Sequence, residues 1–277
     1  MGIFGQRFFK NFSNQAALIF VALVILIAVG GQFFTRYDPL EVHTGVRFQP
    51  PSQAYWMGTD NLGRDVASRV LAGTRLALQS SLIILASATL LGLVVGLVSG
   101  YYGGLVDEAL MRVTDIFIAF PGLVLALAIA AALGPNLTNA MIAISAVWWP
   151  SYARMVRGQV LSVREQEYVT AARAMGSRDV RIILTHILPN ILLPLVIQIT
   201  LDLGPALVTT STLSFIGMGA QPPAAEWGSM VSQGRKYLLD YWWISTFPGA
   251  AIFATVLVFN NLGESVRRVL DVRFSQR

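Results

Sequence analysis

The chain is 277 residues long, 55% hydrophobic and only 13% charged, with a formal net charge of +5 and no cysteine. So little charge leaves too little polar surface to dissolve a domain of this size, and a mean hydropathy of +0.60 places the chain in a bilayer. The missing cysteines exclude a disulfide framework and any thiolate metal site, and the basic residues form no dense run with aromatics, so no nucleic-acid partner is expected.

Arg7 and Lys10 precede an apolar run at 16–34, about 28 Å of helix, which is enough for a hydrocarbon core of ~30 Å. Ala28-Val29-Gly30 is a poor cleavage site and more spans follow, so this run reads as an uncleaved first span. Gln6 stands where myristoylation prefers Ser or Thr. In the long segment that follows, Asp60 and Asp65 lie in "GTDNLGRD". Their spacing fits no EF-hand and predicts turn structure.

An uncharged run gives a second span at 76–100. Within it Ala88, Gly92, Gly96 and Gly100 recur every fourth residue, a ladder that lets another helix approach closely, read here as one tight intramolecular contact. A second uncharged run is too long for one helix, and Gly134-Pro135-Asn136 divides it into spans at 116–134 and 139–157. A fifth span covers 188–216 and a sixth 241–263. Pro121, Pro150, Pro194, Pro205 and Pro248 lie in or near spans and are expected to kink them.

The expected fold is thus an all-α membrane protein with six transmembrane helices. Residues 1–75 hold the N-terminal segment, first span and outer loop, 76–264 the main transmembrane domain, and 265–277 a tail. An even count puts both termini on one side. A cytoplasmic N-terminus places 13 of the 20 basic residues inside and 7 outside, which predicts N-in and C-in.

Reactive motifs are absent from the sequence. Neither Lys10 nor Lys236 is followed by Ser or Thr, so no P-loop exists for ATP. His43 and His186 begin no H-E-x-x-H, and no G-x-S-x-G occurs. No cofactor or metal is expected on this chain. Asp202 is the acid inside a span, where an unpaired carboxylate is costly. Gln198, Asp202, Pro205, Thr209 and Thr212 share one helix face. That face lines a wet pathway, with Gln198, Asp202, Thr209 and Thr212 as candidates, or else Asp202 pairs with a neighbouring helix for assembly.

Between the fourth and fifth spans lies an amphipathic elbow at 162–189. Ser162-Val163-Arg164-Glu165 forms a capping box, which predicts a helix start near Val163. Tyr168, Ala171, Ala172 and Met175 then fall on one stripe. Gly176 suits the left-handed residue beyond a helix end, Ser177 is placed to cap a second short helix with Val180, Ile183 and Leu184, and Pro189 marks entry to the fifth span. A stripe centred on alanine either docks a partner or packs on its own protein.

"YVTAARAMG" followed by "HILPN" resembles the cytoplasmic coupling motif of ABC-importer permeases of the dipeptide, oligopeptide and nickel group. "GTDNLGRDVASRVLAGTRLAL", "GLVSGYYGGLVDEALMRVTDIFIAFPGLVLAL" and "LSFIGMGAQPPAAEWGSM" resemble segments of that group's C-type subunit, in the same order. The resemblance implies a type-I importer permease fold with a cytoplasmic coupling helix, in a bacterial inner membrane. It implies a heterodimer with a second permease subunit, two ATP-binding subunits that carry ATP and Mg, and an extracytoplasmic solute-binding protein, with lipid around the spans. Tyr168, Thr170, Ala171, Ala172, Arg173, Met175 and Gly176 would form the ATPase-docking helix, and Leu188 and Pro189 match the end of the motif. Thr170 stands where the general motif has glutamate and His186 where it has isoleucine. The resemblance implies uptake of di- or oligopeptides, or of a nickel chelate or glutathione-like compound, and no catalytic residue. A stand-alone transporter or channel using the fifth span is the alternative, and an intramembrane enzyme a third; no internal inverted repeat supports the former.

Overall fold

Ten helices, separated mostly by short turns, make up the described part of the chain, residues 12–274 of this computed structural model. Arg7, Lys10 and the last three residues lie outside it. The first three helices are α1 (Phe12–Phe34), α2 (Val66–Tyr102) and α3 (Gly104–Ile118), followed by α4 (Gly122–Leu133) and α5 (Leu137–Arg164). The elbow comprises α6 (Glu167–Ala174) and α7 (Asp179–Ile182). After it come α8 (Leu188–Ile216), α9 (Trp227–Gly234) and α10 (Trp243–Phe274). Apart from an isolated bridge between Thr59 and Asp65, no strand pairing occurs among the described residues.

The 37-residue α2 is the central rod. Asp65 caps its start, accepting from the Ser68 backbone N–H at 2.8 Å and from the Ser68 hydroxyl at 2.6 Å. Its small-residue ladder packs on α5 as expected. A methyl group at Gly92 would lie 2.4 Å from Tyr152 Cβ, and one at Gly100 2.8 Å from Val160 Cβ. Only a hydrogen fits at those positions, so the ladder fixes how closely the two helices approach.

The third predicted span differs most. It was expected as one helix over 116–134, but α3 and α4 are separate and meet at 87°. Pro121 explains the break, because it cannot donate to the helix and its ring pushes Phe120 out of helical conformation. Gly134-Pro135-Asn136 ends α4 and starts α5 as read. Gly134 has φ +93°, and the Asn136 side chain caps α5 by accepting from Thr138 N–H at 2.9 Å. In contrast, α10 runs helical through Phe274, past the end assigned to the sixth span and into the predicted tail.

By length and composition, α2, the rod from Asp179 to Ile216 and the Trp243–Arg268 part of α10 are long and apolar enough to cross a membrane. The bent α3–α4 pair makes a fourth if it counts as one span. A six-span layout therefore also needs α1, whose apolar stretch is Leu18–Gly31, and α5. The latter is long enough, at 28 residues, but carries Arg154, Arg157 and Arg164.

Outside the rods, residues 35–65 fold as a turn-rich cap, as the aspartates predicted. Asp60 accepts from the Leu62 and Arg64 backbone N–H groups at 2.8 and 3.0 Å and from Arg64 Nε at 2.6 Å. Arg64 and Asp60 are both buried.

Candidate functional site

The elbow helix begins four residues later than the capping box predicted, at Glu167 and not near Val163. Ser162 and Val163 belong to the last turn of α5, and α6 starts at Glu167 with Gln166 before it. The physical reason is the apolar stripe of α5, in which Val156 and Val160 are buried and Val163 packs on the same core. That burial carries the helix through the polar signal. Gln166 then accepts the first N–H groups of α6 through its backbone carbonyl, from Val169 at 3.0 Å and Thr170 at 3.1 Å.

The turn after α6 is a Schellman motif. Gly176 N–H bonds the Arg173 carbonyl at 3.0 Å, and Ser177 N–H bonds the Ala172 carbonyl at 3.1 Å. Gly176 sits at φ +76° with nothing within 4 Å of where a side chain would begin. Backbone conformation, not space, therefore calls for glycine there. Ser177 does not cap the next helix; Arg178 precedes it, without a side-chain cap. Pro189 stands at the entry to α8 as read, in its first turn after Leu188. A π-helical turn at Ile183–Ile187 joins α7 to α8, absorbing the donor that proline lacks and keeping the rod continuous.

The stripe divides. Val169 is fully buried and Ala172 is 2% exposed, both in the core with Val160, Ile182 and Ile187. Tyr168 is 45% and Met175 80% exposed, and Thr170, Ala171 and Arg173 are also exposed. Ala172 thus supports the helix from beneath instead of joining its outer face. Small size is required there for packing, which sequence spacing could not separate from docking.

Side chains of α2 and α5 hold the elbow in place, and the sequence reading missed them. The Arg173 guanidinium lies 5.7 Å from the Tyr101 ring centre, and the Tyr101 hydroxyl donates to Asp179 Oδ1 at 2.6 Å. Arg164 donates to the Gly100 carbonyl at 2.8 Å, where the carboxyl end of α2 favours a cation. Arg157 forks onto both Asp107 oxygens at 2.6 and 2.5 Å, tying α3 to α5. No local pattern marks these contacts, because each joins residues distant in sequence.

The candidate pathway face also divides. Asp202 Oδ2 accepts from the Tyr152 hydroxyl at 2.7 Å and from Gln198 Nε2 at 3.1 Å. The Thr209 and Thr212 hydroxyls each donate at 2.8 Å to a carbonyl one turn back. Thr212, with Ser211 and Gly228, borders an open, mostly apolar groove of about 380 Å³ between α8, α9 and α10; Gln198, Asp202 and Thr209 do not line it.

At the opposite end of α8, Glu226 caps α9 from a site only 1% exposed. It accepts from Gly228 N–H at 3.0 Å and Ser229 N–H at 2.8 Å. Burial raises its carboxyl above the ordinary range, opposed by those N–H groups and by the Ser214 and Ser211 hydroxyls. Arg64 donates to Gln233 Oε1 at 3.2 Å, and Arg69 to the Pro39 carbonyl at 2.8 Å. The cap, α2 and α9 are thereby locked together.

Residues 92–276 match the family described as "Binding-protein-dependent transport system inner membrane component". The chain belongs to this family. Residues 1–51 match the N-terminal transmembrane domain of oligopeptide transport permease C. The chain is 42% identical to a dipeptide transport system permease of Alkalihalophilus pseudofirmus, over 95% of this chain and 86% of that one. It is 40% identical to a nickel transport system permease of Escherichia coli K12, over 95% of each. Identity to a glutathione transport system permease of Pectobacterium atrosepticum is 39%, over 97% and 89%. In fold it resembles a chain of the inward-facing MetNI methionine ABC transporter, with a TM-score of 0.55 and 21% identity over 72% of this chain and 95% of that one. The chain is thus a membrane-integral permease subunit of an ABC importer, with the helical fold of that class.

Proposed function

We propose that this permease forms half of the translocation pathway of an ATP-driven importer for di- or oligopeptides in a bacterial inner membrane. Its partners would be a second, different permease subunit, two ATP-binding subunits carrying ATP and Mg, and an extracytoplasmic solute-binding protein. The carrying observation is the family match over 92–276 together with a dipeptide permease related across 95% of this chain. Nickel and glutathione permeases are related nearly as strongly, so a nickel chelate or a glutathione-like compound is the second reading of the substrate.

In this proposal six spans, α1 and α5 included, put both termini and the elbow in the cytoplasm. The exposed face of α6, from Tyr168, Thr170 and Ala171 to Arg173 and Met175, meets the ATPase, while Gly176 aims it and Ala172 seats it. This chain itself binds no nucleotide, cofactor, metal or nucleic acid. Its Asp202 acts in assembly, tying α8 to α5 through Tyr152; the bond at 2.7 Å supports that role over a wet pathway. A partner can drive a conformational change only by binding the two permease states with different affinity, so a firm seat for α6 is what the coupling needs.

The test is reconstitution in proteoliposomes with the cognate partners, following uptake of a labelled dipeptide, glutathione and nickel. ATP-dependent dipeptide uptake that requires the solute-binding protein is expected. Uptake or ATP turnover by this chain alone would overturn the reading. Reporter fusions after Gln276 and within 45–55 check orientation, and an external C-terminus would end the N-in, C-in assignment.

A further inference from the structure

The segment joining α9 to α10 has an unusual surface. A single 3₁₀ turn at Arg235–Tyr237 is followed by Leu238 and Leu239, the latter 98% exposed, and then by exposed Trp242. The turn is braced from beneath. The Phe48 ring stacks on Tyr241 at 4.2 Å and meets Tyr237 edge-on at 5.0 Å. Tyr241 N–H bonds the Tyr237 carbonyl at 2.7 Å, and buried Trp243 donates to the Thr59 carbonyl at 3.1 Å.

We infer that the 235–242 turn is a membrane anchor, with Leu238, Leu239 and Trp242 seated at the boundary between phospholipid headgroups and acyl chains. Its place in the fold supports this occupant. Two of the long apolar helices finish at this level: α8 ends at Ile216 and α10 begins at Trp243. The Arg235 guanidinium lies 5.3 Å from the ring centre of Phe215, in the last turn of α8. The turn therefore sits where the apolar part of the protein stops. Tryptophan and tyrosine concentrate at that depth because one part of each ring is apolar and another is polar. Exposed Arg235 and Lys236 can meet lipid phosphate, as basic side chains at helix ends do; Asp240 is the acid beside them. A braced turn suits anchoring, because its leucines enter lipid without any further ordering of the backbone. The inference is independent of the solute and of which side faces the cytoplasm, so its failure leaves the transport reading intact.

Because the chain has no cysteine, one substitution gives it a single labelling site, and the purified chain is labelled before the partner subunits are added. Leu239→Cys and, separately, Leu238→Cys are spin-labelled in this way and measured in the assembled complex in phosphatidylethanolamine–phosphatidylglycerol nanodiscs. Glu41→Cys, exposed in the cap, serves as the aqueous reference. Oxygen, which concentrates in hydrocarbon, and a water-soluble nickel chelate are used as relaxing agents. The oxygen-to-chelate accessibility ratio should be severalfold higher at 238 and 239 than at 41, and unchanged when the purified solute-binding protein is added. A ratio equal to that at position 41 would overturn the anchor. So would immobilisation of the labels by the solute-binding protein, which would assign the turn to protein docking.

Discussion

The two ends of α8 are held in opposite ways. At the 226–243 end, charged groups are buried and paired: Arg64 with Asp60 at 2.6 Å, and Glu226 on the N–H groups of Gly228 and Ser229. At the elbow end the charged side chains sit nearer the surface, and α6 is seated on the apolar core through Val169 and Ala172, with Arg173 beside the Tyr101 ring. Buried charge fixes geometry but is costly to disturb, because removing one partner strands the other in a low dielectric. The cap end is thus fixed by buried paired charge, and the elbow by apolar packing beneath an exposed face.

Arg64→Ala should have the largest effect. It takes the nearer of two guanidinium groups from buried Asp60, leaving Arg69 Nε at 3.9 Å, and breaking such a buried pair costs up to about 3–5 kcal/mol. Thermal unfolding in detergent would report it as a large fall in Tm. Arg64→Met, which keeps an apolar stem and removes the charge, should show most of the same loss, because Asp60 must stay charged for buried Arg69. A Tm close to the parent's in Arg64→Met would show that the stem, not the ion pair, holds the cap.

Ala172→Glu probes the other end and should come next. A carboxylate at a site 2% exposed, packed in an apolar cluster, should cost several kcal/mol in desolvation. Amide exchange should then rise across 167–177 while the 35–65 cap stays protected. Uniform loss of protection in both regions would contradict the independence of the two ends.

Gly176→Ala should cost less, about 1–2 kcal/mol, because the strain at φ +76° is purely conformational and no atom is crowded. The added methyl opposes the left-handed φ and should open the elbow locally, read as faster amide exchange at position 176 and at Ser177.

Glu226 gives the cap end a pH signature. Its carboxyl is raised in the folded state, so the folded protein holds a proton that the unfolded chain releases earlier. Stability is therefore greatest below the ordinary carboxylate pKa, falls as pH rises towards the raised folded value, and levels off above it. Glu226→Gln should flatten that slope in a pH series of unfolding midpoints. An unchanged slope would remove Glu226 as its source.

These contrasts also show what could be read from the chain. The α2 ladder was legible because four small residues at one spacing have few other uses, and the elbow's glycine was legible because its φ admits little else. The capping box at Ser162 misled, since a local polar signal was overridden by the buried valines of α5. The break at Pro121 was underread: an apolar run registers hydropathy, while the 87° bend is set by one missing donor and one ring. Tyr101, Arg157 and Tyr152 were invisible as partners because their meaning lies in residues 78, 50 and 50 positions away. The side of α6 on which each alanine falls was likewise undecidable, since both positions lie within the same apolar arc.

That last ambiguity yields the smallest structural effect and the sharpest test. Ala171 is exposed while its neighbour Ala172 is buried, so one substitution at adjacent positions separates surface from seat. Ala171→Glu adds an exposed charge to a short helix and should change stability by no more than about 0.5 kcal/mol. On the proposed docking face, however, the same charge would sit against the ATPase, either unpaired or in place of an apolar contact. Copurification of the ATP-binding subunits should fall sharply, and ATP hydrolysis should lose its dependence on solute, with the melting curve unchanged. Met175→Ala, also on the exposed side, should weaken the same contact more mildly. If Ala171→Glu binds the ATPase normally, α6 is braced by Val169 and Ala172 for packing alone, and the difference between the two ends of α8 has no role in coupling.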